Sequence, residues 1–238
     1  MRLKDRVIII TGASGGLGRH IVRLFLSEGA KVVGAARDKD KFLHALPDIS
    51  ANENERLFVF SADLIHWEEA VRLKDETLNL FGRIDGLIHS MGGFKAGKTL
   101  AETEEKEWDS MMSLNLKSAF FCSRAVWPVM QQQRQGKILT VSAMAALNPK
   151  AKRGIYQISK AALVTLTQSL AEEGKEYNIQ VNSIAPSVID TKANKKVMPE
   201  ADHSKWVKPE EIAKLCAFLC SEDSNDVTGS IVQIPGRL

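Results

Sequence analysis

Tyr156 and Lys160 stand at i and i+4 in a helix-like segment, so their side chains share one face, one turn apart. A free tyrosine titrates at about 10 and is a weak acid or base at neutral pH. A neighbouring ammonium favours the phenolate, and about 1.4 kcal/mol of such preference makes ionisation tenfold easier. The pair therefore reads as a general acid, Tyr156, whose pKa is lowered by Lys160. A second run, Thr11-Gly12-Ala13-Ser14-Gly15-Gly16-Leu17-Gly18, has the composition of a phosphate cradle. Its glycines let the backbone turn tightly and approach a pyrophosphate, and a helix N-terminus behind them would supply free N–H groups. Gly12, Ser14, Gly16, Leu17 and Gly18 are its expected contacts. A dinucleotide held there and a proton donor at Tyr156 together point to hydride transfer from a nicotinamide, with the proton coming from the tyrosine.

That chemistry needs a scaffold of alternating elements, and the chain offers one. The β-branched run Arg6–Ile10 reads as a buried strand, and Ile21, Leu24 and Phe25 as a helix stopped by Gly29. Further strands are expected at 31–36, 57–61, 84–89, 137–141, 179–184 and 231–234. Helices are expected at 66–81, 104–133, 156–177 and 209–219. Apolar strands alternating with helices argue an α/β fold, a doubly wound parallel sheet of about seven strands with helices on both faces. With 238 residues and no linker, residues 1–238 read as a single domain. The irregular stretch 187–208 is long enough to serve as a substrate lid.

Composition excludes other classes. A net charge of +3 with scattered basic residues gives no case for nucleic acid. No stretch could span a bilayer, and the N-terminus runs straight into the first strand without an apolar leader, so a cytoplasmic location is expected. Cys122, Cys216 and Cys220 form no disulfide framework, and the five histidines do not cluster, so no metal site is expected.

Thr11-Gly12-x-x-x-Gly16-x-Gly18 upstream of Tyr156-x-x-x-Lys160 resembles the short-chain dehydrogenase/reductase superfamily over essentially the whole chain. The resemblance implies that Asn115 is a further catalytic member, through a water relay to Lys160, and that Lys160 also holds the nicotinamide ribose. It assigns adenine contact to Asp63 and Leu64, although Asp63 also suits a cap for the helix at His66. Ser90, Met91 and Gly92 would lie beside the cofactor, and Pro186, Ser187, Ile189 and Thr191 along the nicotinamide carboxamide. At the end of the second strand the acid of NAD-preferring relatives is replaced by Ala36, followed by Arg37. A guanidinium pairs bidentately with a 2′-phosphate, so NADP(H) is expected over NAD(H), with Asp38 as a competing 2′-OH acceptor. The resemblance also implies a homodimer or homotetramer acting on a small-molecule substrate.

Two departures shape the substrate expectation. The fourth strand ends His89-Ser90-Met91-Gly92-Gly93 where relatives carry Asn-Asn-Ala-Gly. The serine that relatives place thirteen residues before the tyrosine is here Ala143, and the adjacent Ser142 would reach the substrate only if the strand had ended or bulged. Quinoid dihydropteridine reductase shares that alanine. The segments Ser142–Leu147 and Asp190–Trp206 resemble the same branch, and Trp206 could stack on a flat ring. The favoured substrate is thus a quinoid dihydropteridine or another flat, electron-poor heterocycle. A ketone or 3-oxoacyl thioester reductase is the alternative, and a weakly catalytic NADP(H) sensor a further one.

Overall fold

The computed structural model describes residues 1–47, 49 and 55–237. Seven parallel strands form one sheet: β1 (Val7–Thr11), β2 (Lys31–Ala36), β3 (Leu57–Ser61), β4 (Gly86–His89), β5 (Gly136–Val141), β6 (Ile179–Pro186) and β7 (Ile231–Ile234). Their order is β3-β2-β1-β4-β5-β6-β7, the doubly wound arrangement the sequence leads one to expect. In such a sheet the chain leaves β1 in one direction and resumes at β4 in the other. The crevice outside the carboxyl ends of β1 and β4 is then the natural ligand site.

The helices are α1 (Gly18–Ser27), α2 (Lys39–Ala45), α3 (Trp67–Phe81), α4 (Glu105–Met112), α5 (Ser118–Gln133), α6 (Met144–Leu147), α7 (Gly154–Gly174), α8 (Lys192–Val197) and α9 (Pro209–Leu219). Strand alternation sorts the core into two layers. Ile8 and Ile10 face α1 and α9, packing with Val22, Phe25, Ile212 and Cys216. Ile9 faces the other way, into a layer with Leu73 of α3, Val126 and Met130 of α5, and Ala171 of α7. Among the described residues no helix is long and apolar enough to cross a membrane.

Four local expectations need correction. The helix expected at 104–133 is two helices joined by a π-helical turn, Ser113–Lys117. The apolar spacing continues through that turn, so periodicity alone does not reveal it. Helix α2 was not expected; Asp38 starts it by accepting from the Lys41 N–H at 2.9 Å. The stretch 187–208 is not irregular. It contains α8, a 3-10 turn at His203–Lys205 and a parallel bridge from Ile189 to Val207. Finally, Asp63 does not cap α3: His66 holds the cap position without a side-chain bond.

Candidate active site

The glycine turn leaves β1 at Thr11 and enters α1 at Gly18. Gly12 takes φ +64°, and a Cβ there would meet the Met91 backbone at 2.8 Å, so a side chain is excluded on both counts. Gly15 N–H donates to the Gly12 carbonyl at 2.9 Å, closing the turn in which Ser14 stands half-buried. Leu17 occupies the cap position of α1 with no side-chain bond, and the Arg19 and His20 N–H groups close back on the Gly15 and Leu17 carbonyls at 3.2 and 3.0 Å.

Beyond β2, Arg37 is exposed and its guanidinium makes no hydrogen bond or ion pair among the described residues. Asp38, the competing ribose reader, spends its carboxylate capping α2. Past β3, Asp63 is half-buried and Leu64 fully buried. The Asp63 backbone is a hydrogen-bond partner of Glu69, whose carboxyl is pulled down chiefly by Arg72.

At the end of β4 a directional hydrogen-bond chain crosses the site. His89 is fully buried, with Nδ1 at 3.1 Å from Thr11 Oγ1 and Nε2 at 3.1 Å from Ser118 Oγ. Ser118 Oγ donates to the Leu114 carbonyl at 2.7 Å. It therefore accepts from Nε2–H, and Nδ1 accepts from the Thr11 hydroxyl. Thr11 Oγ1 in turn accepts from Met91 N–H at 3.4 Å, and Ser90 Oγ donates to the Thr11 carbonyl at 2.6 Å. Burial, helped by the charge of Lys160, pushes the imidazole down to about 3, so His89 is neutral and fixed as this tautomer.

The π turn presents Asn115, which is fully buried. Its Oδ1 accepts from Gly93 N–H at 2.8 Å, and its Nδ2 donates to the Gly93 carbonyl at 3.1 Å and to Ser159 Oγ at 2.9 Å. The asparagine side chain thus clamps the strand-end loop to α7. Gly92 lies in the same cluster: a Cβ would come within 3.0 Å of both Asn115 Oδ1 and Lys160 Nζ.

Tyr156 and Lys160 sit on the first turns of α7. Lys160 is buried, donates to the Val141 carbonyl at 2.8 Å, and is brought down to about 8 by desolvation. Tyr156 is pushed up to about 12 by burial, opposed by the charge of Arg153. This corrects the expected role of the lysine: burial outweighs any ammonium, and the tyrosine holds its proton at neutral pH, as a donor must. The Phe94 ring stands edge-on to Tyr156, centroids 4.9 Å apart.

Ser142 is turned away from this centre. Its N–H still pairs with β6 through the Ile184 carbonyl at 2.8 Å, and its hydroxyl donates to the Lys160 carbonyl at 2.9 Å. The hydroxyl works as a strut between sheet and α7, while Ala143 is buried at the start of α6.

On the far side, Pro186 ends β6 and Ser187 Oγ donates to the Pro235 carbonyl at 2.7 Å. Ile189 bridges to Val207, and Thr191 caps α8. Thr191 also presses on the glycine turn, since a Cβ on Gly16 would meet its Cγ2 at 2.7 Å. Trp206 is buried and packs against His203, ring centroids 4.3 Å apart, so it is not presented for stacking on a substrate.

The crevice therefore brings together the glycine turn, Ser90–Gly92, Asn115, Tyr156, Lys160 and the 186–191 segment. Turns too tight for any Cβ fit the close approach of a dinucleotide's pyrophosphate, and Arg37 stands exposed past the end of β2. Sequence reasoning missed His89, Gly93, Phe94 and Ser159. The only signal for the first of these was the replacement of an asparagine by another side chain able to both donate and accept.

Comparison with known proteins agrees with this architecture. The family model described as short chain dehydrogenase matches residues 6–202. The chain is 30% identical to the 3-oxoacyl-(acyl-carrier-protein) reductase of Thermotoga maritima, over 100% of this chain and 99% of that one. It is 33% identical to dehydrogenase/reductase SDR family member 4 of Oryctolagus cuniculus, covering 98% of this chain and 94% of that one. A short-chain type dehydrogenase/reductase from Mycobacterium ulcerans superposes with a TM-score of 0.92 at 24% identity, over 100% of this chain and 90% of that one. ElxO with NADP bound superposes with a TM-score of 0.90 at 24% identity, over 98% of each chain.

Proposed function

The chain belongs to the short-chain dehydrogenase family, and from that premise we propose an NADP(H)-dependent reductase of a small conjugated substrate, a quinoid dihydropteridine, with Tyr156 as its one proton donor. The nicotinamide, when bound, supplies the hydride. The glycine turn holds its pyrophosphate, Arg37 its 2′-phosphate, Asp63 and Leu64 its adenine, and the 186–191 segment with Ser90–Gly92 its nicotinamide end. Tyr156 gives its proton to the substrate, and Lys160, poised at about 8, returns one to the phenolate. Asn115 keeps the Gly92–Gly93 backbone and α7 in register for that transfer.

The observation that carries the substrate reading is the commitment of Ser142 to the Lys160 carbonyl beside Ala143. Ser159 is likewise occupied, donating to the Tyr156 carbonyl at 2.7 Å, whereas the Tyr156 hydroxyl makes no hydrogen bond among the described residues. Losing an oxyanion donor costs a carbonyl reduction about 3–4 kcal/mol. A ring that takes hydride at carbon and a proton at nitrogen develops little oxyanion and escapes that cost. The full-length identity with a 3-oxoacyl reductase favours a second reading, reduction of a 3-oxoacyl thioester with a water in place of the serine. A cytoplasmic homodimer or homotetramer belongs to the proposal by family analogy.

NADPH oxidation by the purified protein, run with quinoid dihydropterin beside a 3-oxoacyl thioester, tests the reading. Turnover of the pterin alone is expected. Turnover of the thioester alone would replace the first reading with the second, and tight NADPH binding without turnover of either would leave a sensor.

A further inference from the structure

At the N-terminal end of α7, just ahead of Tyr156 in the chain, lies a small cavity of about 60 Å³ that the reaction described above does not use, lined by Lys95, Lys98, Thr103, Glu107, Lys152 and Ile155 among others. Its wall is built from two loops fastened to each other and to α4. Gly97 N–H donates to the Lys152 carbonyl at 2.8 Å. The buried Glu107 carboxylate takes Lys95 Nζ at 2.6 Å, Lys98 Nζ at 3.0 Å and the Glu104 N–H at 3.2 Å. A buried carboxylate is tolerated only when so partnered, and here its partners are the two ammonium groups it holds at the cavity.

The charges do not cancel. Glu104 meets Lys98 at 3.1 Å and Lys106 at 2.7 Å, and Glu102 is turned to Thr99. Lys152 has no side-chain partner among the described residues, and Arg153 beside it acts on Tyr156. Lys152 also adopts φ +60°, a left-handed conformation uncommon for a lysine, which asks what the side chain gains at that position. Lys95 and Lys98 are each nearly half exposed; the three donors of Lys98 are taken by Glu104 and Glu107, whereas Lys95 meets only Glu107 among the described residues and keeps donors for an incoming group.

Resting on the reductase reading, we propose that this cavity binds a carboxylate carried by the substrate away from its reacting ring, with Lys152 as the principal cation and Lys95 and Lys98 as its neighbours. Phe94, whose ring meets Tyr156 edge-on, is followed directly by the cavity-lining Lys95, so one short segment touches both the proton donor and the anion site. The site thus selects an acidic substituent on a flat, electron-poor head.

The test measures equilibrium binding, which does not require turnover. Two matched pairs are titrated into protein saturated with NADP⁺: carboxypterin against methylpterin, followed by pterin fluorescence, and carboxybenzaldehyde against benzaldehyde, followed by calorimetry. Each acid is expected to bind about tenfold more tightly than its neutral partner, as one charge-assisted hydrogen bond provides. The advantage should shrink with added salt and disappear in Lys152→Gly, a change that also relieves the left-handed backbone and so leaves the fold intact. An advantage confined to the benzaldehyde pair would support the anionic site and overturn the pteridine reading. No advantage in either pair, or one that survives Lys152→Gly undiminished, would overturn the site.

Discussion

Replacing His89 with leucine should lower stability at pH 7.5 and leave it unchanged near pH 5. At neutral pH the substitution strips the buried Thr11 hydroxyl of its acceptor and Ser118 of a donor. A buried polar group left unsatisfied costs roughly 1–3 kcal/mol, so a loss of about 2 kcal/mol is expected. In a domain of this size that lowers Tm by roughly 4–8 °C. Acid changes the comparison. The imidazole titrates at about 3 in the folded chain, below the 6.5 or so of an unfolded one. Between those values the unfolded chain binds the extra proton, so the wild type loses stability as pH falls below about 6.5. At pH 5 the loss is about 2 kcal/mol, at about 1.4 kcal/mol for each tenfold rise in proton concentration. The leucine variant lacks this loss. His20, also held below its ordinary value by burial, is common to both proteins and cancels in the difference. Thermal unfolding followed by circular dichroism at pH 7.5, 6.5 and 5 reads the gap directly. A gap that stays constant or widens in acid would refute a neutral, doubly bonded His89.

Three further substitutions probe separate parts of the site. Arg37→Ala should raise KM for NADPH by about tenfold and leave that for NADH unchanged, since only the 2′-phosphate loses a charge-assisted bond; equal wild-type KM values for the two cofactors would contradict this. Ser142→Ala should cost about 1 kcal/mol of stability in urea unfolding and leave kcat within about twofold, because the hydroxyl braces α7. A hundredfold fall in kcat would instead place that hydroxyl on the substrate. Gly92→Ala inserts a methyl 3.0 Å from both Asn115 Oδ1 and Lys160 Nζ. It should cost roughly 1–3 kcal/mol and lower kcat, read by unfolding and steady-state assays.

The sheet was legible because buried parallel strands leave short β-branched runs: the limits expected for β2, β3 and β7 coincide with those observed. The glycine turn, Tyr156 and Lys160 were legible because their spacing reports local geometry. Interactions between distant segments were not. The bond from Ser142 to the Lys160 carbonyl joins residues 18 apart, and that from Asn115 to Ser159 residues 44 apart. No local pattern encodes either. Trp206 reads equally as a stacking surface or as core in sequence, and only its packing on His203 decides. The pKa of Tyr156 went the other way from the expectation because spacing shows the lysine's proximity but not the burial that dominates it.

The most direct test of Tyr156 as the sole proton donor is turnover and NADPH affinity of Tyr156→Phe, measured side by side with wild type on quinoid dihydropterin. A fall in kcat of about 10²–10⁴ with unchanged NADPH Kd is expected, because the ring stays to pack against Phe94 while the proton is removed. Turnover within a few fold of wild type would contradict the account and move the proton donor elsewhere in the crevice.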